Sequence, residues 1–184
     1  SAMPGRHALS ISGDESLLMA YYFNLATSVG VIDIAKRAQV NEVPLPVCAM
    51  VYPTGKRGFS SLCANGSMIS FQLDAAGKVA STHVLDPFFD VDQDALFEKP
   101  VIVNGMGFFP TFTGNLQEID LRGDHAVLGA RWNLVPEAER KQNWRPGGAM
   151  LGSADDAGHL VLIMHPDGKE GSHKDGGTEV WVFD

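Results

Sequence analysis

A chain of 184 residues, 45% of them hydrophobic, is long enough to bury a sizeable core. Its formal net charge of −8 and pI near 5.1 argue against a nucleic-acid partner, which calls for a basic face. There is no apolar run of about 18 residues or more, so no helical membrane span is predicted.

Ser1-Ala2-Met3 reads as a cloning remnant ahead of Pro4, and no signal peptide is visible. Beyond it the pattern is period-2 strands separated by Gly, Asp, Asn and Pro turns, which marks an all-β protein. The first unit, residues 4–46, has an alternating stretch at 7–12, a turn at 13–16 and a continuous apolar run at 17–23. That run suits a strand buried on both faces. Strands at 29–34 and 39–44 follow, the second an outer edge. A second unit, 47–86, repeats the order through 48–52, 58–63, 67–73 and 79–85. Its Asn65-Gly66 turn is a strong hairpin signal, because both positions tolerate positive φ.

A third unit, 99–132, runs through 101–103, 107–112, 115–121 and 125–130. A fourth, 147–184, holds 149–154, 159–164 and 178–183, and its outermost strand is missing. Asp33, Asp74 and Asp120 occupy equivalent turn positions. Their spacing falls in the range of about 40–50 residues that four-stranded propeller blades show. The longer interval to Asp184 is explained by a short helical insertion at 135–143, with Pro136 in its first turn and Glu137 and Glu139 early. Residues 4–184 are therefore predicted to form one domain, a partial β-propeller of about four four-stranded antiparallel blades with the last incomplete. An Ig-like sandwich is the alternative, disfavoured by the four-strand period and the length.

Cys48 and Cys63 lie near the same open end of one predicted hairpin. Two buried thiols fit this placement, and so does a bridge. A bridge would add about 3 kcal/mol and imply an oxidising compartment. With no nearby histidine, the pair does not complete a zinc site.

Asp90, Asp92 and Asp94 alternate in a D-x-D-x-D run that suits calcium. Ala95 and Val101 stand where an EF-hand needs Gly and Glu. The preferred reading is a solvated loop pinned by Phe88, Phe89, Leu96 and Phe97. His165, His173 and the charged loop 167–172 form the densest polar cluster, readable as a general base or ligand site, or as a long hairpin loop that meets another subunit. Gly147-Gly148 reads as sheet re-entry rather than a phosphate loop. No P-loop, nucleophile elbow, HExxH or dinucleotide motif is present. No catalytic, cofactor-binding or metal-binding residue is assigned.

Trp144-Arg145-Pro146-Gly147-Gly148 after a short helix, residues 160–165, and His173-Lys174-Asp175 leading into Gly177-Thr178-Glu179-Val180-Trp181-Val182-Phe183-Asp184 carry a family resemblance. So do Val29-Gly30-Val31-Ile32-Asp33, the Cys48 and Cys63 pair followed by Asn65-Gly66-Ser67, and Phe88-Phe89-Asp90. Over residues 5–184 the chain resembles the heavy chain of the quinoprotein amine dehydrogenases, methylamine and aromatic amine dehydrogenases among them. The resemblance implies a periplasmic propeller subunit paired with a light chain. That light chain would carry tryptophan tryptophylquinone, convert a primary amine to aldehyde and ammonia, and pass electrons to a copper protein or a cytochrome. It also implies a Cys48–Cys63 disulfide.

The chain has about half the family length, and Ala149-Met150 replaces an aromatic and an amide expected after Gly-Gly. The family's channel-lining segment is expected upstream of the matching region. The quinone is not expected from Trp132, Trp144 or Trp181. Two functions are carried forward. One is a non-catalytic heavy-chain scaffold. The other is a free-standing interaction module whose open blade edges pair two copies into a ring of about eight blades, residues 7–12 or the stretch near Pro4 filling the missing strand of the other copy's last blade. A calcium- or small-molecule-binding domain around 90–94 is the third reading.

Overall fold

The computed structural model describes residues 5–149, 151–155 and 157–184. The predicted remnant Ser1-Ala2-Met3, together with Pro4 and Met150, lies outside the described residues. The fold is all-β, with sixteen strands among the described residues in four sheets of β-propeller blade type. Each of the first three is a four-strand meander.

The first sheet contains β1 (Leu9–Ile11), β2 (Leu17–Tyr22), β3 (Ser28–Asp33) and β4 (Ala38–Pro44), in that order. Strand alternation puts Leu17, Met19 and Tyr21 on one face, and the antiparallel register sets Met19 opposite Val31 and Tyr21 opposite Val29. The 17–23 run is not buried on both faces as predicted. Leu18 and Tyr22, on the opposite side of the strand, are only half-buried, and Phe23, just past the end of β2, is 62% exposed.

The second sheet contains β5 (Cys48–Thr54), β6 (Gly58–Cys63), β7 (Met68–Leu73) and β8 (Val79–Leu85). β6 is buried along its whole length, so its serines need internal partners. The Thr54 and Ser60 hydroxyls lie 2.7 Å apart and those of Ser60 and Ser70 2.8 Å apart, and Ser70 Oγ accepts from the Ala126 amide at 3.0 Å. Ser61 Oγ donates to the Met50 carbonyl at 2.6 Å.

The third sheet contains β9 (Val101–Val103), β10 (Met106–Pro110), β11 (Asn115–Asp120) and β12 (Val127–Asn133). The last begins later than the predicted 125–130. Gln72 Nε2 donates to the Asp124 carbonyl at 2.8 Å and Ala126 is held by Ser70, so 124–126 stay out of the ladder.

The fourth sheet contains β13 (Arg145–Pro146), β14 (Gly152–Ala154), β15 (Leu160–His165) and β16 (Glu179–Phe183). β13 and β14 pair with β15 at its two ends, and β16 pairs along it. Of the predicted first strand, 149–154, only Gly152–Ala154 forms a strand, and a two-residue strand, Arg145–Pro146, precedes it. Between them Gly148 has φ +107° and Gly147 lies against His165 and the Asp175 carbonyl. Among the described residues no strand pairs with the outer edge of β16. The helical insertion is a 3-10 turn, Glu137–Gln142, ended by Asn143 in the left-handed region.

These elements fall into two compact units. One comprises Ser1–Asp90 with Asp120–Val127, the other Val91–Ile119 with Leu128–Asp184. The first is centred on Met19, Tyr21, Val29, Val31, Val51, Phe59 and Phe71. The second buries Leu116, Leu134, Trp144, Leu162 and Met164, with Trp181 and Phe183 packed against them. Each large side chain removed from water in this way contributes about 1.5–3 kcal/mol.

Candidate functional site

Cys48 opens β5 directly opposite Cys63 at the end of β6. The two sulfurs are bonded at 2.00 Å, and no free cysteine is present among the described residues. The bridge closes the open end of the hairpin beside the Asn65-Gly66 turn, where Gly66 takes φ +83° and Asn65 Oδ1 accepts from Ser67 N and Oγ.

The acidic run does not converge on a common point. Asp94 turns into the second unit. Its carboxylate accepts from Thr113 Oγ1 at 2.6 Å and Thr113 N at 3.0 Å, from Asn115 Nδ2 at 3.0 Å, and from Arg131 Nη2 at 2.6 Å. Burial opposes its ionisation, but the donors from Thr113, Thr111 and Asn115 outweigh burial and hold the carboxyl below its ordinary value. Asp94 therefore ties the 90–98 loop to β11 and β12. Among the described residues no group of three or more His, Cys, Asp or Glu is arranged to hold a metal ion.

The two histidines of the polar cluster part company. His165 ends β15 and is buried, its Nδ1 3.0 Å from the Pro166 carbonyl and its Nε2 without a partner. His173 sits on a 3-10 turn, Ser172–Lys174, and stacks on Phe112 with ring centroids 3.9 Å apart. Burial, and then the neighbouring Lys174 charge, push its pKa down. His173 and Phe112 form part of the wall of a cavity of about 520 Å³, with Arg145, Lys169, Asp92 and Glu170 around it. Cations and anions alternate there, so its charge selects no single kind of ionic ligand.

A second cavity, about 410 Å³, was not foreseen from the sequence. It lies between the 3-10 insertion and β16 and is lined by Pro136, Glu139, Gln142, Trp144, Glu179 and Trp181. The indoles of Trp144 and Trp181 pack at 5.0 Å, tilted by 46°. Its residues come from segments about 40 apart in sequence, and only the chain W-R-P-G-G after the insertion hinted at it.

Among the described residues, each unit also carries an apolar face that is partly exposed. In the second, Val161 lies opposite Val182 and Ile163 opposite Val180, with Val180 64% and Val182 61% exposed. In the first, Ile11, Leu18 and Ile32 form a row across β1–β3, beside exposed Leu9. Patches of this kind mark contact surfaces.

Residues 3–184 match the family model for the methylamine dehydrogenase heavy chain. The chain is 27% identical over 177 residues to a methylamine dehydrogenase heavy chain from Methylobacillus flagellatus, covering 95% of this chain and 44% of that protein. It is 30% identical over 168 residues to the one from Paracoccus versutus, covering 90% and 38%. The chain thus spans less than half the length of these relatives. Among solved structures, a functionally unknown protein from Desulfotomaculum acetoxidans superposes with a TM-score of 0.55 at 10% identity, covering 94% of this chain and 54% of that one. The quinohemoprotein alcohol dehydrogenase ADHIIG from Pseudomonas putida gives 0.51 at 12% identity, covering 99% and 35%. Both likenesses concern the fold alone.

Proposed function

The chain belongs to the methylamine dehydrogenase heavy chain family, and from that premise we propose that it is the scaffold portion of a two-subunit amine dehydrogenase. The match over residues 3–184 carries this reading. In it, a separate light chain bears tryptophan tryptophylquinone, which supplies the oxidation of a primary amine to aldehyde and ammonia. This chain supplies rigid blades and a contact surface for that partner. The three tryptophans here are engaged in packing. Trp132 Nε1 donates to Glu118 and Trp181 Nε1 to Glu179, and Trp144 is buried. A periplasmic location accords with the Cys48–Cys63 bridge, since such bridges persist in oxidising compartments.

Mixing the purified chain with a quinone-bearing light chain of the family and running the mixture by size exclusion tests the reading. Co-elution in a fixed ratio is the expected result. Separate elution at micromolar concentrations, with the chain folded, removes it.

A second reading is favoured by the outer edge of β16, which no described strand pairs, and by the exposed Val180 and Val182. Here the chain is an interaction module that associates with a second copy. It predicts a homo-oligomer without any light chain.

A further inference from the structure

The 410 Å³ cavity of the second unit has a composition that neither the family match nor the heavy-chain reading accounts for. Its two walls come from different kinds of element. Pro136, Glu139 and Gln142 recur at every third residue, which in a 3-10 turn of three residues per turn places them in one row. Glu179 and Trp181 are two apart on β16 and share one face of the strand. Trp144 closes the back and packs on Trp181.

The chemistry of this lining is one-sided. Two indole rings and two carboxylates face the space, and neither a lysine nor an arginine lines it. Glu139 Oε2 accepts from Gln142 Nε2 at 3.0 Å, and Glu179 Oε2 accepts from Trp181 Nε1 at 2.8 Å. Both are neutral donors. Among the described residues neither carboxylate is paired with a cation, although Arg140 and Lys141 belong to the same turn. Held in place but not neutralised, the two glutamates set a negative potential over a pair of aromatic faces.

We propose that this cavity binds an organic cation with a quaternary ammonium head group. Indole is the aromatic side chain that attracts cations best, and a fully alkylated head gives up less hydration on entry than a metal ion or a simple ammonium. The methyl groups lie against the Trp144 and Trp181 rings while the glutamates supply the Coulombic attraction. The space exceeds what a lone metal ion needs, and a metal would find only two carboxylates, too few oxygens for calcium. The site is independent of the scaffold reading: it needs no light chain and lies wholly in one unit.

Nuclear magnetic resonance of the indole N–H groups, on the full chain, reads the site directly. Tetramethylammonium and choline are the probes. The neutral isostere 3,3-dimethylbutan-1-ol serves as the control, because it has the same shape as choline without the charge. The Trp144 and Trp181 resonances are expected to move saturably, while Trp132, which does not line the cavity, stays still and reports that the fold is intact. The pair E139Q/E179Q keeps shape and hydrogen bonding, and should weaken binding roughly threefold to tenfold, the worth of two solvent-exposed Coulombic attractions. Added sodium chloride should weaken it as well. No saturable shift, an equal response to the neutral isostere, or unchanged affinity in the double variant each overturns the proposal.

Discussion

Asp14 shows how much of this fold depends on single carboxylates placed at turns. It accepts from Ser16 Oγ at 2.6 Å, Ser12 Oγ at 2.8 Å and Ser16 N at 3.1 Å, and pairs with Arg57 Nη2 at 2.7 Å. The Ser16 hydroxyl does most to hold its carboxyl far below the usual carboxylate range, and the Ser12 hydroxyl, Ser16 amide and Arg57 charge add to it against desolvation. Asp120, gripped by Arg122, is likewise lowered to about 2. A carboxyl whose pKa is depressed in the folded state contributes stability above its unfolded pKa of about 4, and loses it as pH falls through the folded value. These carboxylates should therefore make urea midpoints fall below about pH 4. D14N should lower the midpoint at pH 7 and make that acid limb shallower; an unchanged limb contradicts the assignment. At Asp94 the expectation concerns calcium. D94N should destabilise by about 1–3 kcal/mol through its lost charged hydrogen bonds, and neither calcium nor chelator should move the melting temperature of the parent chain. A shift with calcium would reinstate the ion-binding reading of the 90–94 loop.

Among elements, the junction into β16 is tightly packed. Gly177 precedes the strand, and a Cβ there would run into Ile163 Cγ2 and lie 2.9 Å from the Met164 carbonyl. Thr178 N donates to that same carbonyl at 2.9 Å, which sets the register of β16 on β15. G177A must displace one strand from the other, at a cost of about 1–3 kcal/mol, and should loosen amide protection in β16 before β15. The β5–β6 hairpin depends instead on its bridge. Reduction should remove about 3 kcal/mol, and thiol titration of the unreduced native chain should return none. That hairpin was legible in the sequence because its signals are local: alternation, two cysteines and Asn65-Gly66. β13 was not, since a two-residue bridge at Arg145–Pro146 leaves no periodicity. The row Pro136, Glu139 and Gln142 was hidden for a related reason, since its members align only in a turn of three residues. His165 and His173, neighbours in composition, were separated by burial, one inside the sheet and one stacked on Phe112. The delayed start of β12 rested on contacts with Gln72 and Ser70, about 50 residues away, which no local pattern encodes.

At the scale of the molecule, the unanswered apolar surface decides what the chain does in solution. β3, a third-rank strand like β16, has four of its six residues buried. β16 has none buried and leaves two valines more than half exposed. The difference is not one of sequence character, since both are rich in valine. It reflects position: Val29 and Val31 point into the core from a strand flanked by β2 and β4, whereas Val180 and Val182 point away from the core, on a strand whose outer edge no described strand pairs. An apolar face beside an unpaired strand edge favours association, either with a partner subunit or with another copy. Light scattering of the purified chain separates these outcomes. V180K/V182K puts charge on the exposed face while leaving Trp181 and Phe183 on the packed one. If the chain associates with itself through this face, the parent should give a mass near twice 19.8 kDa, and the double variant should return to a single copy with its melting temperature nearly unchanged. A parent that is monomeric at every concentration, and a variant that loses only light-chain binding, would assign the face to the partner subunit instead.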